Sequence, residues 1–324
     1  MKIVDLIAEK SRQRPTLSFE IFPPKPQSPF NMVQIAEELA QYSPDFISVT
    51  YGAGGSTRDT TIEVASFIKE HYGIETVAHL TCIAFTKDQI EATAKELAAH
   101  HIENVLALRG DLPTDPTYPF PTPLHFAHSG DLVEFLNSKF NFCLGGAFYP
   151  EGHTETKDLD RDLYYTARKI DSGMEYLISQ VFFTNEYYYR TRDRIRALGY
   201  STPLLAGIMP ITSKAQITRI TQLSGCEIPA EVKTILDQFG DDPKALFDAG
   251  VDYTAHQIID LIEHHVDGIH LFTMNNPAAV KALLQRICSI QSSRNESSLA
   301  HPINNPGAIQ TLIQKICREQ PHCS

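Results

Sequence analysis

The stretch Asn104-Val-Leu-Ala-Leu-Arg-Gly-Asp111 opens as an apolar strand and ends in three residues that a strand does not choose for its own sake. Arg109 and Asp111 place opposite charges two positions apart, and Gly110 lets the backbone turn or approach a ligand closely. A buried strand with a charged, glycine-hinged carboxyl end is where α/β proteins usually keep their chemistry. A loop ion pair capping the next helix would account for the same residues. Company favours the first reading, because several other strands end in the same way.

Outward from this stretch, strand-like runs alternate with segments of helical spacing. A short N-terminal helix precedes strand 17–22, which Pro23-Pro24 closes, and helix 31–42 leads to strand 46–51 and the turn Gly52-Ala-Gly-Gly-Ser-Thr57. Helix 58–72, strand 76–82, helix 87–101 and strand 104–109 follow, then a proline-rich loop over 112–127. Helix 129–139, strand 142–149, helix 157–173, strand 176–183, helix 185–198 and strand 203–211 continue the pattern. A helical region over 213–265 is broken near Gly225, Gly240 and Asp241-Asp242-Pro243, and strand 269–274 with helix 277–290 ends the series. Eight strand–helix units in alternation predict an α/β protein, a single (β/α)8 TIM barrel over residues 1–290. A doubly wound open sheet would want Gly-x-Gly-x-x-Gly at the first helix. The glycine-rich turn here follows the second strand, lacks that spacing and lacks the Lys-Ser/Thr ending of a P-loop. From Gln291 to Ser298 the chain reads as a polar linker, and Ile309, Leu312, Ile313 and Ile316 give a short helix over 308–319 one apolar face. This C-terminal extension (291–324) is expected to dock on its own barrel, with a subunit contact as the alternative.

Composition narrows the function classes. Twenty-eight basic against thirty-nine acidic residues give a net charge of −11, which argues against nucleic-acid and anionic-membrane partners. An anionic ligand must therefore be held by local groups. No run approaches the roughly 18 apolar residues of a membrane span, and the start, MKIVDLIAEKSRQRP, has no signal-peptide core. Cysteines 82, 143, 226, 288, 317 and 323 show no CxxC spacing and read as reduced thiols, so a cytoplasmic protein is expected.

In a barrel, alternate strand residues face the lumen and the helices. In Leu17-Ser-Phe-Glu-Ile-Phe22 the outward set is Leu17, Phe19 and Ile21, which leaves Ser18, Glu20 and Phe22 inside. Glu20 then sits toward the carboxyl mouth, where lost hydration favours the protonated form a general acid needs. A structural glutamate paired with an inward arginine, such as Arg109, is the alternative. The same parity places Ser48 and Thr50, then Val77, His79 and Thr81, then Val105, Ala107 and Arg109, and finally Ile178, Gln180 and Phe182 inside. Polar groups from at least five strands thus converge on one end. His79 and Cys82 have no second Cys/His pair at ligand spacing, so no metal is expected. No serine elbow or strand-end lysine is present to act as a nucleophile. Acid/base groups, amides and a glycine-rich loop remain, which suits chemistry carried by a bound cofactor.

The chain resembles the methylenetetrahydrofolate reductase family, bacterial type, over about residues 15–290. The resemblance lies in Phe19-Glu-Ile-Phe-Pro-Pro-Lys25, Ser48-Val-Thr-Tyr-Gly-Ala-Gly-Gly-Ser-Thr-Arg58, His79-Leu-Thr-Cys82 and Ala107-Leu-Arg-Gly-Asp111. It continues through Tyr149-Pro-Glu-Gly-His153, Arg168-Lys-Ile-Asp-Ser-Gly173, Gln180-Val-Phe-Phe183 and Gly207-Ile-Met-Pro210. The resemblance implies a flavoprotein barrel in which NADH or NADPH reduces FAD and leaves. Methylenetetrahydrofolate then takes up the hydride in a ping-pong cycle, and the methyltetrahydrofolate formed feeds methionine synthesis. It implies Glu20 as general acid toward a folate nitrogen, Asp111 as the carboxylate near flavin and pterin, and Gln180 as the pterin-binding amide. For FAD it implies Thr50, Tyr51, Ala53, His79, Arg109, Gly110, Asp111, Ser129, Tyr149, His153, Asp162, Tyr165, Arg168 and Lys169. For folate it adds Gln216 and Asn276, the latter where relatives carry arginine. Ile220 replaces a stacking phenylalanine. A homo-oligomer is expected, and inhibition by S-adenosylmethionine is not, because the large regulatory domain of eukaryotic relatives is missing from this sequence. The rival readings are a flavin barrel with another substrate, a flavin-free folate methyl carrier and, last, a non-catalytic binding module.

Overall fold

The computed structural model describes residues 1–23, 32–51, 58–112, 120–155, 158–297 and 311. Its strands are short runs rich in aliphatic and aromatic residues: β1 (Thr16–Ile21), β2 (Phe46–Val49), β3 (Glu75–Thr81), β4 (Asn104–Leu108), β5 (Cys143–Phe148), β6 (Tyr176–Ser179), β7 (Leu204–Ile208) and β8 (Gly268–Phe272). They pair in parallel in chain order, and β8 pairs back onto β1 with Ser18 opposite His270, so the sheet closes into the (β/α)8 barrel. The helices are α1 (Ile3–Lys10), α2 (Met32–Ala40), α3 (Arg58–Tyr72), α4 (Lys87–Ala99), α5 (Ser129–Asn137), α6 (Leu159–Asp171), α7 (Asn185–Ala197), α8 (Lys214–Ser224), α9 (Ala230–Phe239), α10 (Pro243–Glu263) and α11 (Pro277–Ser297).

The long helical region breaks where its sequence chemistry requires. α8 starts on a Ser213 cap and stops at Gly225, whose φ of +69° suits glycine. α10 starts on Asp242, whose carboxylate accepts from the Lys244 and Ala245 amides, with Pro243 in its first turn. α11, by contrast, continues to Ser297, through most of the stretch expected to be a linker. Of the expected 308–319 helix only Thr311 is described; it is helical and lies near Arg14 and Asp267 at the amino end of the barrel. Cys82, Cys143 and Cys226 are free thiols, but Cys288 is disulfide-bonded, which corrects the reading of six reduced cysteines.

Apolar residues form two layers. Outward side chains such as Leu17, Phe19, Ile21, Val49 and Leu80 pack under the helices. Inside, Phe46, Val77, Leu106, Cys143, Tyr176, Ile178 and Leu205 fill the lower lumen, and Ile3 and Ile7 of α1 cover its amino end. The lumen is thus plugged from below, and its polar contents collect toward the carboxyl mouth.

The expected parity holds on β1, β2 and β3 and fails on β4. There Val105 and Ala107 pack in the outer layer, and Leu106 and Leu108 belong to the lumen. Asn104 accompanies this register: its side chain accepts from the Ile3 amide and donates to the Met1 and Thr76 carbonyls. Phe182 also departs from expectation. It lies past the end of β6 and packs outward, stacked on Tyr188 of α7.

Candidate active site

Glu20, the fifth residue of β1, is 8 % exposed and lies in the lumen between β3 and β8. Its Oε2 is 3.5 Å from His79 Nε2 and 3.7 Å from His270 Nε2. Among the described residues no lysine or arginine pairs with it. Arg109, the candidate structural partner, instead makes a two-pronged ion pair with Glu155, at 2.9 and 2.7 Å. Burial pulls the His79 imidazole down to about 4, against the opposing pull of the Glu20 charge, with His270 lowering it further. His79 is therefore neutral near pH 7, and its Nε2 has no hydrogen-bond partner among the described residues.

Gly110 explains how β4 delivers its charged end. Its φ is +82°, and a Cβ there would come within 2.7 Å of the Thr81 side chain, so any larger residue would push the two strand ends apart. The Arg109 carbonyl accepts from the Cys82 and Ile83 amides at 3.1 and 2.9 Å, tying the ends of β3 and β4 together. Beyond that hinge Asp111 is exposed at the rim.

Two adjoining cavities open at this mouth. The central one, about 330 Å³, is lined by Glu20, Thr50, Tyr51, His79, Arg109, Gly110, Asp111, Tyr149, His153 and Gln180, with Leu108, Ile178 and Phe272 as apolar walls. The outer one, about 510 Å³, runs between α5 and α6 and shares Leu108, Arg109, Ala147, Tyr149 and His153 with the first. Ser129, Asp162, Tyr165, Arg168 and Lys169 line it, together with His128. Lys169 Nζ donates to the Ala147 carbonyl at 2.8 Å and lies 5.6 Å from the centre of the Tyr149 ring. Crowded surroundings pull its ammonium down to about 8, against the attraction of Asp162, with Arg109 adding repulsion. Asp162 also accepts from the His153 amide and so ties α6 to the loop after β5.

Most sequence-selected residues therefore meet at one site. Ala53 lies outside the described residues. Gln216 and Asn276 do not line either cavity: Gln216 accepts from Thr212 at the start of α8, and Asn276 accepts from the Ala279 amide at the start of α11. Ile220 packs against the cluster around α8 to α10. Sequence reasoning missed His270, although Gly268-Ile-His-Leu-Phe272 alternates and places it on the inward side with Phe272. Glu155, which occupies Arg109, was also missed. No group of three or more His, Cys, Asp or Glu residues that could hold a metal occurs among the described residues.

A closed parallel barrel with a buried acid at its carboxyl mouth and a long cation-bearing cleft beside it has the architecture of a (β/α)8 enzyme. The sequence profile described as methylenetetrahydrofolate reductase matches residues 3–288, and the chain belongs to that family. It is 33 % identical over 263 residues to the 5,10-methylenetetrahydrofolate reductase of Escherichia coli strain K12, covering 80 % of this chain and 86 % of that protein. It is 31 % identical over 312 residues to methylenetetrahydrofolate reductase (NADH) 1 of Arabidopsis thaliana, covering 92 % of this chain but 53 % of the relative. The chain thus spans about half the length of the plant and yeast relatives it matches. Among solved structures, an uncharacterized Clostridium thermocellum protein, described as binding two copies of 5-methyl-5,6,7,8-tetrahydrofolic acid, shares the fold. Its TM-score is 0.60 at 14 % identity, over 89 % of this chain and 99 % of that one.

Proposed function

We propose that this chain is a flavin-dependent methylenetetrahydrofolate reductase: it takes electrons from NADH or NADPH onto FAD and reduces 5,10-methylenetetrahydrofolate to 5-methyltetrahydrofolate, the methyl donor for methionine synthesis. The residues present fit an elongated dinucleotide. The outer cavity offers Arg168 and Lys169 as counter-charges and Ser129 at the start of α5, groups suited to a diphosphate in an otherwise acidic protein. Tyr165 and His128 rings lie 6.1 Å apart in the same cavity and could flank an adenine. The central cavity combines apolar walls with hydrogen-bonding side chains, as a flavin and a pterin stacked on it would need. Bound FAD would supply the hydride transfer.

The carrying observation is Glu20: a carboxyl group nearly removed from water, without a cationic partner among the described residues, at the inner end of that cavity. It donates its proton to a bridging folate nitrogen, the ring opens, and the iminium so formed on the folate accepts hydride. Gln180 holds the pterin edge through its amide, and Asp111 accepts from the pterin at the rim. The Leu108, Ile178 and Phe272 side chains exclude water from the reacting face. Residues 1–290 would form the catalytic barrel of a cytoplasmic homo-oligomer, with 291–324 as an extension.

The visible spectrum of the purified protein tests the proposal directly. A yellow protein bleached anaerobically by NADH or NADPH and recoloured by methylenetetrahydrofolate is expected; a colourless protein that binds folate alone would defeat it. Glu20→Gln should keep bleaching by the nicotinamide and slow recolouring by at least ~10²-fold. Equal slowing of both steps would contradict the role given to Glu20.

A further inference from the structure

Arg109 lines the central and the outer cavity alike, so it stands where the two meet. Glu155, on the loop after β5, grips its guanidinium with both oxygens, Nη1 to Oε2 at 2.9 Å and Nη2 to Oε1 at 2.7 Å. A ligand long enough to fill both cavities has to pass this pair. Each partner stabilises the charge of the other: Glu155 raises the Arg109 value, and Arg109 lowers that of Glu155.

A structural clamp does not account for the pair. The Glu155 side chain is 58 % exposed and that of Arg109 31 %, surroundings in which an ion pair adds little to stability. The loop is anchored without it. The His153 amide donates to Asp162, Glu151 accepts from the Glu227 amide at 2.7 Å, and the Tyr149 and His153 rings meet edge-on at 4.6 Å. The Arg109 backbone is fixed as well, through its carbonyl and the Cys82 and Ile83 amides. The two side chains can therefore separate while both backbones stay in place. Neighbouring carboxylates of the outer cavity are engaged differently: Asp131 accepts from the Ala127 and His128 amides at 2.9 Å, and Asp162 ties α6 to the loop. Glu155 instead sets two oxygens against a guanidinium in the cavity wall, the geometry a phosphate group would adopt there.

We propose that Glu155 is an internal stand-in for the anionic part of the ligand: it neutralises Arg109 in the unliganded protein and yields the guanidinium to a dinucleotide diphosphate laid across the two cavities. Exchanging one oxyanion for another keeps Arg109 paired before and after binding. The displaced carboxylate turns into water, where its repulsion of the diphosphate is screened. The consequence is a ligand held less tightly than Arg109 without its carboxylate would hold it. The inference rests on the flavin reading for the identity of the ligand, but not for the pair itself.

Glu155→Gln removes the competing charge and keeps the shape, and should tighten FAD binding by about 3- to 5-fold, the worth of an exposed ion pair. Flavin fluorescence regained on dilution of the purified full-length protein measures the FAD that leaves. Glu155→Ala should tighten binding to a similar degree. In an Arg109→Gln background the change at Glu155 should have less than half that effect, because no guanidinium is left to release. Weaker or unchanged FAD binding in the single variants would overturn the proposal. So would an undiminished gain without Arg109, which plain charge repulsion would produce. The melting temperature of Glu155→Gln should not fall; a marked drop would make the pair structural and overturn the exchange. If the wild-type protein carries no FAD, the flavin reading fails. Calorimetric titration with ADP, which presents the same diphosphate, then decides the exchange by the same comparison of variants, and absence of ADP binding would count against it.

Discussion

Lys169 shows how a single side chain sets a measurable property of the site. Its ammonium is pulled from the ordinary 10.5 down to about 8 by its crowded position beside Tyr149 and Ala147. A base with a lowered value in the folded state costs stability wherever it stays protonated, below about pH 8, and that cost fades as the pH rises toward 10.5. Anion binding runs the other way. A diphosphate prefers the charged amine, so affinity should be flat below about pH 8 and fall as the pH rises through it, with proton uptake on binding. Titration calorimetry with FAD in buffers of different ionisation enthalpy measures that uptake. Lys169→Met should bind more weakly at pH 7 and lose the pH dependence between 7 and 9. A variant as pH-sensitive as the parent would show that another group takes up the proton.

At the scale of the element, strand ends carry the chemistry and glycines let them meet. Gly207 faces inward on β7, where a Cβ would come within 2.2 Å of the Ser179 carbonyl and 2.8 Å of the Phe272 ring. Gly207→Ala must therefore spread β6 from β7 and should cost about 1–3 kcal/mol in denaturant unfolding. A stability change near zero would mean that the ring simply turns aside. The eight strands, their order and the breaks among α8, α9 and α10 were legible because periodicity, caps and glycines are local signals. The register of β4 was not. Counting inward from Arg109 carried strict alternation back across the strand end, while Asn104 at the other end is bonded to the N-terminal segment. A long-range hydrogen bond of that kind leaves no trace in the spacing. Glu20 could be placed because its outward neighbours Leu17, Phe19 and Ile21 are uniformly apolar. His270 was legible in the same way but stood alone in an apolar strand, and its side-chain partners Ser18 and Ser48 come from across the sheet. Gln216 aligned by motif and Asn276 stood where relatives carry arginine; both side chains bond at helix starts, a use that residue type alone does not distinguish from ligand binding.

For the molecule as a whole, stability and chemistry sit at opposite ends of the lumen. At the amino end Arg14 and Asp45 form a buried two-pronged pair at 2.7 Å, and Asp45 also accepts from the Leu17 amide. Arg14→Met strands that carboxylate and should cost about 3–5 kcal/mol, read as a lowered Tm. Both half-reactions should keep their rates at a temperature where the variant is folded; a selective loss of either would show that the two ends communicate. The closure of β8 onto β1 has a consequence for how such a chain is made. Ser18 meets Ile269 and His270 across about 250 residues of sequence, so during synthesis the first strand waits with an open edge until the last one has left the ribosome. The nascent protein must pass through an unsealed, adhesive intermediate, and its yield in cells should depend on chaperone capacity more than the tightness of the finished cylinder would suggest.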